Sequence, residues 1–127
     1  YLACTSNVET DTKFQGFKGM FSGEKLFFIR AFTEAGAGRV YYNSYGAVKQ
    51  IPIQPGQVVT IDTGHVVAFT DGVNYQIGKV GGLGSFVFGG EGLVMHFSGQ
   101  GTVWIQTRYI GGLAGMLSPF FPPCNHS

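Results

Sequence analysis

At 127 residues the chain fits one domain with room for a core, and its 21 glycines and 15% aromatic residues favour strands and tight turns over helices. Charged residues supply only 12%, about half the usual ~25%, so the surface needs cover from another subunit or a weakly polar partner. The formal net charge is +1, and Lys13, Lys18, Arg30, Arg39, Lys49, Lys79 and Arg108 are spaced singly, which gives no strong nucleic-acid signal because phosphates attract clustered Lys and Arg.

In chain order, Tyr1-Leu2-Ala3-Cys4-Thr5 followed by Val8 comes first, and the pattern returns at equal spacing as Val66-Val67-Ala68-Phe69-Thr70 followed by Val73. Gly23-Glu24-Lys25-Leu26-Phe27-Phe28 then leads into a strand ending at Phe32, and it recurs as Gly90-Glu91-Gly92-Leu93-Val94-Met95 leading to Phe97. Each copy is predicted to form a hairpin. The first turns through Ala35–Gly38 into 39–44, and the second through Ser98–Gly101 into 102–107. Period-two alternation puts Leu26, Phe28 and Phe32 on one face and Leu93, Met95 and Phe97 on the equivalent face. Strands are predicted at Val48–Ile53 and Val58–Asp62, joined by Gln54-Pro55-Gly56, a Pro-Gly turn. His65–Thr70 and Asn74–Val80 are predicted to pair around Asp71-Gly72. Single helical turns are placed near Lys18–Phe21, Ser85–Phe88 and Leu113–Leu117.

These elements predict an all-β fold, a sandwich or partly rolled barrel of about ten short strands. The organisation is one β domain over 1–127. Repeat 1 covers about 1–64, repeat 2 about 65–110, and an apolar Gly/Pro tail runs over 111–127. The first copy lacks a partner for the segment just before Val66, so a piece of that unit is expected to be absent or to be supplied by a neighbour. No apolar run approaches the ~20 residues needed to span a bilayer, and no signal or transit segment is visible. Cys4 and Cys124 stand near opposite ends. They form either a bridge suited to an oxidising compartment or two unpaired thiols. Asn125-His126-Ser127 matches a glycosylation sequon.

Asp62-Thr63-Gly64, after the apolar strand Val58–Ile61, has the form of the catalytic turn of aspartic proteases, in which two aspartates share one proton. His65 stands where those enzymes carry a small residue, and no flap hairpin follows. The preferred reading is a strand-ending turn in which Asp62 accepts backbone N–H groups and Gly64 takes positive φ. Glu24 and Glu91 form no catalytic pair in this reading. They sit at equivalent repeat positions beside Gly23 and Gly90 and accept N–H groups of the adjoining turns. His65, His96 and His126 show no metal-ligand spacing, so no metal or cofactor is expected. Nucleophile motifs are also absent. Tyr41, Tyr42, Tyr45, Tyr75, Trp104 and Tyr109 near hairpin ends would suit a sugar-binding surface, though cross-strand packing explains any one of them better.

Ser44-Tyr45-Gly46-Ala47, Pro55-Gly56, Val59–Phe69 with Asp62-Thr63-Gly64-His65, Val80-Gly81-Gly82-Leu83, Phe88–Leu93, Val103–Arg108 and Gly112–Phe120 together closely resemble the "altered inheritance of mitochondria" family. The resemblance implies a β-sandwich similar to the tryptophan RNA-binding attenuator protein, built by duplication and assembling as a homo-oligomer, a trimer or a ring. It carries no catalytic residue over. It also implies a cytoplasmic or mitochondrial setting, whereas a Cys4–Cys124 bridge or a glycan on Asn125 would imply secretion. This chain corresponds to the family's C-terminal two-thirds or to a short form. The leading expectation is a non-enzymatic, self-associating structural or interaction module. The alternatives are a carbohydrate-binding protein and, further off, a retroviral-type aspartic protease acting through Asp62.

Overall fold

The computed structural model describes residues 1–14, 27–79 and 93–120. The described strands are β1 (Ala3–Cys4), β2 (Glu9–Phe14), β3 (Phe27–Phe32), β4 (Val40–Tyr41), β5 (Val48–Ile53), β6 (Val59–Asp62), β7 (Val66–Phe69), β8 (Val73–Lys79), β9 (Leu93–Gly99) and β10 (Gly101–Gln106), and one helix, α1 (Ile110–Leu117), follows them. The fold is all-β, and among the described residues no sheet closes into a barrel. Two compact units are present, residues 1–43 and 44–127. The segments around Gly23–Glu24 and Gly90–Glu91, the turns expected at Lys18–Phe21 and Ser85–Phe88, and Cys124 and Asn125 lie outside the described residues.

In the second unit the strand positions match the alternation in the sequence, but the pairings do not. β10 lies between β5 and β7 in one sheet, and β9 lies between β6 and β8 in another. Consecutive strands therefore belong to different sheets. The predicted pairing of 65–70 with 74–80 does not form, because β7 pairs with β10 and β8 with β9. The predicted 98–101 hairpin is likewise an arch that carries the chain from one sheet to the other. Gln54-Pro55-Gly56 makes its turn as expected, with Gly56 at φ 82 and Gln57 N–H donating to Gln54 C=O at 3.0 Å, and it too connects the sheets. The β9–β10 arch is central, flanked by β5–β6 on one side and β7–β8 on the other.

Side-chain alternation explains this packing. Met95 and Phe97 share a face of their sheet with Ile61, opposite Met95, and across the gap lie Ile53 and Val103 of the other sheet; all five are buried. Phe69 approaches Phe97 at 5.5 Å and Tyr75 at 5.3 Å between ring centroids, which ties the two sheets together. Burial pushes the Tyr75 phenol above its ordinary pKa. The other face of the β6-β9-β8 sheet carries Thr60, His96 and Gln76 in one cross-strand row, with Val94 buried on the same face. Thr60 Oγ1 lies 2.8 Å from His96 Nδ1. Pro52 is tolerated in β5 because that strand is an edge among the described residues.

The first unit uses the same registers. β1 pairs with β4 as Ala3↔Tyr41 and Cys4↔Val40, where β7 and β10 pair as Ala68↔Trp104 and Phe69↔Val103. β2 pairs with β3 as Glu9↔Phe32 and Asp11↔Arg30, where β8 and β9 pair as Asn74↔Ser98 and Gln76↔His96. This corrects the expected face equivalence: Ile29 occupies the register position of Met95, and Phe32 that of Ser98. The corners agree as well. Thr5 N–H donates to Arg39 C=O and Arg39 N–H to Thr5 Oγ1, while Thr70 N–H donates to Thr102 C=O and Thr102 N–H to Thr70 Oγ1, all at 3.0–3.1 Å. Val8 and Val73 N–H groups close the same turns onto Thr5 and Thr70 C=O. The turn through 35–38, expected to close a hairpin, leads instead from β3 to β4, which have different partners.

The C-terminal helix is also longer than expected. α1 has eight residues where a single turn was predicted, and a 3-10 turn, Ser118–Phe120, follows it.

Candidate functional site

Among the described residues of the second unit, several side-chain hydrogen bonds converge on the Asp62-Thr63-Gly64-His65 corner. β6 ends at Asp62, whose backbone is extended (φ −60, ψ 134), and Thr63–His65 form a 3-10 turn before β7. Asp62 Oδ1 accepts the Gly64 N–H at 2.9 Å, capping that turn. Thr63 Oγ1 donates to Leu93 C=O at 3.1 Å, tying the corner to the start of β9. The expected acceptor role of Asp62 is present, but the expected positive φ of Gly64 is not. The described glycines with positive φ are Gly36, Gly46, Gly56, Gly99 and Gly101. A 3-10 turn needs only right-handed backbone, so Gly64 has no conformational reason to be glycine.

His65 and Gln106 complete the corner. His65 Nδ1 lies 2.7 Å from Gln106 C=O, and because a carbonyl only accepts, Nδ1 is the donor. Gln106 Nε2 donates to Gly64 C=O at 3.0 Å, and Gln106 Oε1 accepts the Tyr45 N–H at 2.9 Å. The Tyr109 ring stands edge-on to His65, with centroids 4.9 Å apart at 73°. Next to this, Ala47 and Thr107 exchange bonds, Ala47 N–H to Thr107 Oγ1 and Thr107 N–H to Ala47 C=O, each at 2.9 Å.

The motif noted in the sequence is therefore joined to the end of β10 and to the segment before β5. Nothing local tied Gln106, Tyr45 or Tyr109 to this corner, since Gln106 stands 42 residues from Gly64 and 61 from Tyr45. Chemically the corner acts as a clasp. Asp62 caps a backbone turn, and both ends of the Gln106 amide are bonded within the chain. Among the described residues no His, Cys, Asp and Glu cluster could hold a metal ion. The aromatic residues considered for sugar contact divide. Tyr75 and Tyr109 pack against other rings, and Tyr41 and Tyr42 of the first unit are exposed. Cys4 is a free thiol that accepts from Tyr1 Oη at 3.2 Å and donates to Val8 C=O at 3.6 Å.

Paired arches and a hydrogen-bonded corner define an all-β protein in which the conspicuous Asp-Thr-Gly-His motif is tied into the backbone. The chain belongs to the family described as mitochondrial biogenesis AIM24, whose profile matches residues 1–108 and so takes in every described strand. An uncharacterized protein of Streptococcus pyogenes serotype M6 is 33% identical over 105 residues, covering 83% of this chain and 41% of its own length. A crystal structure of a Streptococcus pyogenes protein matches with a TM-score of 0.71 at 29% identity, over 91% of this chain and 50% of that one. The chain thus spans half or less of the length of these relatives. Among the described residues no helix is long and apolar enough to cross a membrane.

Proposed function

We propose that this protein is a non-enzymatic structural and interaction module that self-associates, built from a duplicated pair of arches. The observation that carries the reading is the apolar surface. Ile110, Phe120, Met116 and Val58 expose well over half of their side chains, and Leu2, Ile29 and Tyr41 about half, on a chain with few charges. Such a surface is stable in water when another protein surface covers it. Duplication is supported by the matched registers and by the shared Thr5/Thr70 corner bonds. The absence of chemistry is supported by the clasp at Asp62–His65, whose polar groups serve the backbone. Sedimentation velocity of the full chain across the micromolar range tests the reading. The weight-average mass should exceed that of the 13.6 kDa chain and rise with concentration, and a single 13.6 kDa species throughout would refute self-association.

A further inference from the structure

The geometry points to a carbohydrate-binding platform on the β5-β10-β7 sheet, with Trp104 as the ring on which a neutral sugar stacks and Gln50 as the amide that holds its hydroxyls.

Trp104 stands in β10 between Gln50 of β5 and Ala68 of β7. Its neighbour Val103 is 0% exposed in the core, so alternation turns the indole to the opposite face. There the ring is half-buried, and Ala68 is too small to cover it. A tryptophan kept for packing normally stacks on another ring or gives its N–H to an acceptor. Among the described residues no hydrogen bond or ring contact engages Trp104, and the exposed Gln50 amide beside it is likewise unbonded. Thr102 and Pro52 form the next row of the same face.

The first unit repeats the arrangement. Ala3 opposes Tyr41 in the register that sets Ala68 against Trp104, and Tyr41 is exposed. A ring that served packing alone would be covered in at least one of the two units, and neither is.

The chemistry of the face selects the occupant. An open ring takes the C–H face of a pyranose without stripping water from its hydroxyls, and a free amide both donates and accepts, as sugar hydroxyls require. Gln50, Trp104, Ala68, Thr102 and Pro52 carry no charge, and Lys49 falls with Ile105 on the core side of the sheet. A neutral glycan matches this face, and a uronic acid or phosphate finds no cation on it. One ring flanked by an amide and a methyl group is also far smaller than the apolar centre of a stable protein interface.

Trp104 is the only tryptophan in the chain, so its emission reports this face directly. Chitohexaose or cellohexaose, titrated into the full chain to ~10 mM, should shift that emission saturably with a Kd on the order of 1 mM, whereas hexagalacturonate should not. Gln50→Ala, at an exposed position and with its fold verified by far-UV circular dichroism, should weaken the response about three- to tenfold, the worth of one hydrogen bond. Tyr41→Ala should leave it unchanged. Silence with both neutral hexamers, or a response that Gln50→Ala does not weaken, would overturn the site. An emission shift that follows protein concentration without sugar would assign the face to a second copy of the chain and overturn it too.

Discussion

Gln106 is the residue on which the clasp depends most, because its amide joins Gly64 C=O to Tyr45 N–H while its own carbonyl holds His65. Replacing it with Leu leaves a part-buried donor and a part-buried acceptor unsatisfied, which costs about 1–3 kcal/mol. Urea unfolding of Gln106→Leu should show that loss as a lower midpoint at unchanged slope. Gln106→Glu would keep the bond from Tyr45 N–H but set a carboxylate against the Gly64 carbonyl. Its deficit should shrink on acidification, when the protonated carboxyl can again donate, and grow as pH rises. A Leu variant as stable as the parent would show the amide to be redundant. Only part of this site was legible in the sequence. The Asp62-Thr63-Gly64 turn announced its cap because Asp accepts a backbone N–H two residues on. Gln106 and Tyr45 meet it through the fold alone, and nothing in their neighbourhoods encodes that meeting.

At the scale of elements, strand positions followed from alternation, and strand partners did not. β5 matched its expected span, Val48–Ile53, and β9 showed itself by the alternation of Leu93, Met95 and Phe97, all three of them buried. β2, Glu9-Thr10-Asp11-Thr12-Lys13-Phe14, escaped notice because it is polar at nearly every position; Glu9 stands as far from Thr5 and Val8 as Asn74 does from Thr70 and Val73, and that was the usable signal. The connections were read as hairpins because Gly-rich turns between apolar runs favour them. What makes them arches is the corner in which a threonine hydroxyl and carbonyl take the N–H groups that a hairpin would spend across the turn. Glycine is needed at that corner. A Cβ on Gly101, at φ 156, would meet Thr70 Oγ1 and Val73 Cγ2, and one on Gly38 would meet Val8 Cγ2. Gly101→Ala, set among buried strands, should lower the unfolding midpoint by about 2 kcal/mol or more. Gly38→Ala should cost less, since Val8 lies on a less crowded unit and can shift. Equal losses would show the two corners to be equally confined.

For the whole molecule, the balance between apolar and charged surface decides the expected behaviour. Ile110 and Met116 on α1, Phe120 in the turn that follows it and Val58 before β6 all stand exposed, while charged residues supply only 12% of the chain. Apolar side chains on a surface this poor in charge are stable in water when a second protein surface covers them. Self-association driven by their burial should weaken on cooling, because the hydrophobic contribution fades as temperature falls. It should change little with added salt, since few charged groups are available to be screened. Sedimentation velocity of the full chain in the cold and at room temperature, with and without added salt, reads both responses. Association that strengthens on cooling, or that is lost in moderate salt, would mean that polar contacts hold the copies together and that the exposed apolar side chains do not.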